Sequence, residues 1–183
     1  MGAIHAPAEL ALLARVLGGV VFASAIFGKL RDWQAFTGIV ANYRLLPTGW
    51  APTGSALVVA AEGFVVAAMA VGPLVPLGAL AAIVLLLGFG GAMAINLARG
   101  LRDIDCGCFQ GSARQPLSVP LVVRNGVLAL LIVPALGGQA PLDQPLALID
   151  GVLGGVAVAI LNMVAGALIA LREPAAAFRR RFA

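Results

Sequence analysis

Five stretches of this chain, approximately 9–28, 53–72, 76–97, 117–136 and 147–171, are long and apolar enough to cross a bilayer. At 1.5 Å of helical rise per residue, about 20 residues traverse the roughly 30 Å hydrocarbon layer. Lipid offers a peptide group no hydrogen-bond partner, so each stretch must satisfy its backbone internally, as a helix. The expected fold is therefore all-α and integral to the membrane, a compact bundle of about five transmembrane helices. Composition agrees: 61% of the 183 residues are hydrophobic, 11% are charged and the mean hydropathy is +1.03, more apolar surface than one soluble core could hide. No internal repeat and no low-complexity linker interrupts the chain, which reads as a single membrane domain over 1–183. Arg15, the run after it and "ASA" at 23–25 imitate a cleavable signal peptide, but that apolar run is short for one, and 9–28 is read as a span.

The connections divide by character. "GPLVP" at 72–76 and "GGQAPLDQP" at 137–145 are tight turns on one membrane face. The other face carries the longer segments. Residues 32–46 are too polar to span, yet Trp33, Phe36, Val40 and Tyr43 recur at helical spacing, which predicts an amphipathic helix in the interface after the first span. An ordinary amphipathic connector packed on the bundle would show the same pattern. Lys29, Arg31 and Arg44 in the first loop, Arg99, Arg102 and Arg114 in the third, and Arg172, Arg179, Arg180 and Arg181 at the C-terminus all fall on this second face, and the amino terminus and short turns have none. Ten against zero is a positive-inside signal, predicting an external amino terminus and a cytoplasmic C-terminus and cysteine loop. The net charge of +4 thus serves topology, and no basic patch with interleaved aromatics points to nucleic acid.

Both cysteines, Cys106 and Cys108, lie in the polar loop 98–116, separated by Gly107. Two cysteines and a distant His5 are too few for a structural zinc site. Two thiols one residue apart can close a disulfide only if the segment bends so that their Cα atoms approach within about 4.4–6.8 Å, and glycine makes that bend easy. So small a ring is strained and readily reduced, which suits it to passing electrons. Asp103 and Asp105 oppose Arg99, Arg102 and Arg114 in their effect on the thiolates. The plainer alternative is a pair of small, half-buried residues, or a static bond, near a helix start.

Ionisable groups at membrane depth are costly and usually partnered, which draws attention to Arg15, Glu62 and Arg124. Rise counted from the helix ends puts Glu62 near the midplane with each arginine within about 5 Å of that depth, so either could pair with it. Such a pair would be a proton- or quinone-contacting site, or an ionic contact fixing helix register. Asn96, Asn125 and Asn162 read as interhelical hydrogen-bond glue, and "GVLGG" at 151–155 as a small-xxx-small contact. No cofactor motif appears: there is no P-loop, dinucleotide fingerprint or catalytic triad, and a quinone acceptor leaves no signature in composition or spacing.

"INLARGLRDIDCGC" at 95–108 and "GKLRDWQAFTGIVANYRLLP" at 28–47, with the five-span layout, resemble the methylamine utilisation MauE family. More loosely, "GKL" and Glu62 are similar to the wider DoxX-like group of small membrane proteins. Gln110, between Phe109 and Gly111, departs from the expected pattern without touching the thiols. The resemblance implies a bacterial inner-membrane protein needed to mature the disulfide-rich small subunit of methylamine dehydrogenase, a periplasmic quinoprotein. It implies a thioredoxin-like partner, MauD, and casts Cys106 and Cys108 as a redox pair exchanging with it. The order of parts also resembles vitamin K epoxide reductase-like proteins, at the level of fold only. A periplasmic role places the cysteines opposite to the side predicted by charge. Two further readings compete: a non-catalytic assembly or docking factor for the partner or subunit, with structural cysteines, and a small transporter built around Glu62, which the absence of inverted repeats disfavours.

Overall fold

The computed structural model describes residues 5–107, 115–137 and 145–182. Six helices account for nearly all of them: α1 His5–Arg31, α2 Trp33–Asn42, α3 Ala51–Ala70, α4 Val75–Ala98, α5 Val119–Ile132 and α6 Pro145–Phe182. All but α2 contribute a segment long and apolar enough to cross a membrane, α5 together with the short 3-10 turn Val133–Gly137 that extends it. The chain is an all-helical, multi-pass membrane bundle.

Local chemistry sets the helix boundaries. Asp32 separates α1 from α2, its Oδ1 accepting the Ala35 N–H at 3.0 Å, a side-chain cap on an otherwise orphaned donor. The expected interfacial helix over 32–46 is shorter than its periodicity suggested and stops at Asn42, because Arg44 adopts a left-handed φ of 50° that cannot continue a helix. Pro73 lies in the 3-10 turn Gly72–Leu74 between α3 and α4. Pro134 ends α5 before the expected 136: its ring has no N–H and clashes with the carbonyl four residues back, so Val133–Gly137 tightens to a 3-10 turn. At the other end, α6 runs on past 171 to Phe182.

Many large apolar side chains lie on the outside of the bundle. Leu80, Val84 and Leu87 form an exposed stripe along α4 at helical spacing, the inverse of a soluble helix and the surface expected against lipid. Inside, α1 is central and packs on α3 and α6, while α4 packs on α5. Leu17, Phe22, Val65, Ala82, Leu86 and Ile132 fill the main core. The α1–α6 seam is close because α6 presents glycine to it: a Cβ on Gly155 would stand 2.8 Å from the Leu13 carbonyl oxygen, and one on Gly151 would run into Leu12. The small-residue spacing at 151–155 is thus a helix contact, packed by van der Waals complementarity.

Five alternating spans put the end of α1, α2, the start of α3, the end of α4 and the start of α5 on one face. A second small cluster, Met93, Cys106, Leu117 and Leu121, closes the bundle there.

Candidate functional site

Past α4 the chain folds back on itself. Gly100 takes a left-handed turn, Leu117 N–H donates to the carbonyls of Arg102 and Ile104, and an isolated bridge joins Asp105 to Pro116. Cys106 N–H donates to the Gln115 carbonyl at 2.9 Å. The two arms of the cysteine loop are therefore pinned together at its base. Cys108 and Arg114 lie outside the described residues.

Cys106 is buried, at 7% exposure, and held from three directions. Its thiol donates to Gln115 Oε1 at 3.3 Å, Gln115 Nε2 donates onward to the Gly166 carbonyl of α6 at 2.8 Å, and Tyr43 Oη donates to the Cys106 carbonyl at 3.1 Å. A residue at the end of α2 and, through Gln115, one of α6 thus fix the same cysteine. Gly107, directly after it, has φ +69°, and a Cβ there would meet Ile39 Cγ2 at 3.1 Å. Both dihedral and space call for glycine. Asp105 Oδ1 accepts the Gly107 N–H at 3.2 Å and holds that residue in place.

The intramembrane charges pair differently from the expected scheme. Glu62 takes neither Arg124 nor Arg15: Lys29 donates to its Oε1 at 2.7 Å, with the two side chains 4% and 1% exposed. Arg15 instead donates to the carbonyls of Met69 and Ala70, at 2.6 and 2.9 Å, capping the last turn of α3. Arg124 lies against α6, where a Cβ on Gly166 would come within 2.8 Å of its Nη1. One geometric fact explains the first two outcomes. Helical side chains lean toward the helix N-terminus, so a long side chain on α1 acts several ångströms below its own Cα. Arg15 is carried away from Glu62 and Lys29 down toward it. Lys29, a loop charge by sequence, is a buried residue of α1, which leaves nine charges against zero for topology. The signal that could have found it was periodicity, since Lys29 follows the buried Phe22 by seven residues on the same face.

Lys29 joins two cavities. On one side a chamber of about 30 Å³ is bordered by Glu62, Arg124, Asn125 and Asn162, so Arg124 shares a wall with Glu62 without binding it. That is space for a water. Glu62 Oε2 and the Nδ2 atoms of Asn125 and Asn162 have no hydrogen-bond partner among the described residues. The asparagines are thus not the interhelical glue expected of them, and Asn96 donates to Ala92 of its own helix at 3.1 Å. On the other side a larger, apolar cavity of about 230 Å³ lies between α2, α3 and α4 and reaches Cys106 and Gly107. The Lys29 ammonium faces two rings on its wall, Phe36 at 5.3 Å and Phe89 at 5.8 Å from the centroids. Thiol, ammonium and buried carboxylate therefore follow one another from the membrane face inward. Gln115 and Phe89 were not anticipated; neither residue type carries a chemical signature until the fold brings it to the cysteine or the lysine.

The family model described as methylamine utilisation protein MauE matches residues 7–138. Methylamine utilization protein MauE of Paracoccus denitrificans is 37% identical over 150 residues, covering 82% of this chain and 80% of that protein. The protein of the same name from Methylorubrum extorquens is 42% identical over 115 residues, 61% of this chain and 60% of its own. No solved structure matches.

Proposed function

The chain belongs to the methylamine utilisation protein MauE family, and from that premise we propose that it is a thiol–disulfide exchange protein of the bacterial inner membrane. Its substrate is the small subunit of methylamine dehydrogenase, whose disulfides it helps to form, and its partner is the thioredoxin-like MauD. Family membership supports the methylamine context. The observation that carries the chemistry is the left-handed Gly107 immediately after a buried, three-point-anchored Cys106, a conformation that lets a Cys-Gly-Cys segment bend as a ring would require.

Roles follow from burial. Cys106, enclosed by α2 and Gln115, acts as the inner thiol, and exchange with the partner belongs to Cys108. Cys108 thiolate attacks the partner's disulfide and forms a mixed disulfide; Cys106 then displaces the partner's sulfur and closes the ring, or the sequence runs in reverse to deliver oxidation. Either direction conserves one disulfide and needs no metal. This exchange takes place on the face carrying α2, which the role requires to be periplasmic.

Substituting Cys106→Ser and Cys108→Ser, singly and together, tests the reading. Each change is expected to abolish maturation of the dehydrogenase subunit in cells while the protein still reaches the membrane. Full maturation in the double variant overturns it.

A further inference from the structure

The larger cavity offers an unusual set of walls. They are apolar apart from the Lys29 ammonium, the Tyr43 hydroxyl and the Cys106–Gly107 segment, and Tyr43 already donates to the Cys106 carbonyl. Lys29 has three N–H donors; Glu62 takes one, and the ammonium stands over the Phe36 and Phe89 rings. A molecule suited to this space is apolar in bulk and flat, and carries an acceptor oxygen. A dry cavity of about 150 Å³ admits one benzene ring, so about 230 Å³ accommodates a single substituted ring. Leu45 and Leu46, exposed at the rim just past α2, give a tail an apolar exit. An acyl chain would fill the same walls, yet it accepts nothing from an ammonium and has no use for a thiol.

We propose that this cavity binds a membrane quinone, one carbonyl oxygen accepting a hydrogen bond from Lys29, and that the quinone collects the electrons of the cysteine pair. This rests on the thiol–disulfide reading above and names its electron acceptor. In the step, two S–H bonds break and one S–S bond forms between Cys106 and Cys108. The two electrons and two protons released reduce the quinone, each of its oxygens gaining one O–H bond. Lys29 is a positioning residue that also stands where a proton can be relayed, because Glu62 behind it borders the chamber with room for water.

The test uses the full chain in quinone-free nanodiscs with a short-tailed, one-ring benzoquinone as probe. Trp33, whose ring centroid is 6.2 Å from that of Phe36, reports binding by fluorescence quenching once Trp50→Phe removes the second tryptophan. Saturable quenching and quinone-dependent loss of two titratable thiols are expected. Ala92→Phe, which fills the cavity, should weaken the quenching by tenfold or more. Val58→Phe, on a different helix, does the same should the first variant fail to fold. Replacing both charges together, Lys29→Met with Glu62→Gln, should weaken it without leaving either charge buried alone. Quenching that does not saturate, or that ignores both cavity-filling changes, overturns the proposal, as does a tightly held phospholipid that the quinone fails to displace. Diamide applied to the unaltered chain separates the two levels. If diamide pairs the cysteines and quinone does not, the quinone site alone falls; if neither pairs them, the thiol–disulfide reading falls with it.

Discussion

Lys29 of α1 and Glu62 of α3 form an ion pair of 2.7 Å with both side chains buried in the bundle. Removing one partner strands the other charge, which costs about 3–5 kcal/mol in comparable buried pairs, whereas removing both can be nearly neutral. Lys29→Met and Glu62→Gln are each expected to unfold at markedly lower denaturant or temperature than the unaltered protein, with the double variant recovering most of the loss. Detergent-resistance and thermal unfolding of the three variants check this. Additive losses in the double variant would mean the two groups are not coupled.

The α1–α6 seam depends on Gly155. Its missing Cβ leaves 2.8 Å to the Leu13 carbonyl, a backbone atom that cannot swing aside. Overpacking of this kind costs about 1–3 kcal/mol, so Gly155→Ala should lower the thermal midpoint and Gly155→Leu should prevent assembly. Gly63, with nothing within 4 Å of its virtual Cβ, provides the control: Gly63→Ala should be tolerated.

Gly107 is tested by a graded series. A left-handed backbone costs an ordinary L-residue about 1–2 kcal/mol, asparagine less, and a β-branched residue more. The rate of Cys106–Cys108 disulfide closure after reduction should fall in the order Gly, Asn, Ala, Val, with Ile39 adding resistance to any Cβ. Equal rates across the series would show that the left-handed conformation of Gly107 has no part in ring closure.

Gln115 ties the Cys106 thiol to α6 through two hydrogen bonds. Gln115→Leu leaves the Gly166 carbonyl without this donor, and losing about 1.4 kcal/mol of local restraint raises the population of the opened loop about tenfold. In a Cys108→Ser background, alkylation of reduced Cys106 should accelerate by that order. An unchanged rate would show that burial by α2 alone protects the thiol.

The five spans were legible in the sequence because the physics behind them is nearly one-dimensional: enough apolar residues in a row must become a helix in lipid. The cysteine loop was legible as well, since both thiols stand out in polar surroundings. The charge pairing was not. Counting rise along the axis locates Cα atoms, but Arg15 and Lys29 act from the tips of side chains that lean toward the start of α1, and the lean reassigned both partners. Gln115 was invisible for another reason: its bond to Gly166 spans 51 residues and exists only after α6 packs beside the loop. The end of α2 was missed because a left-handed Arg44 interrupts a periodicity that otherwise continues.

By sequence, nine lysines and arginines besides the buried Lys29 fall in the segments assigned to the face of α2 and the cysteines. A membrane-impermeant maleimide on intact cells reports where that face lies. The proposed role predicts that reduced cysteines are labelled from the periplasm; protection until the cells are opened would place the loop in the cytoplasm, as the charges predict, and remove it from the dehydrogenase's compartment.

The central claim is that Cys106 and Cys108 bond reversibly to each other. Acid-quenching the native membranes, alkylating without reductant and weighing the protein by mass spectrometry reads this directly. A population lighter by two hydrogens and blocked to alkylation, which disappears on reduction and returns on reoxidation, is the predicted result. Two alkylated thiols in every molecule, whatever the redox history of the cells, would contradict it.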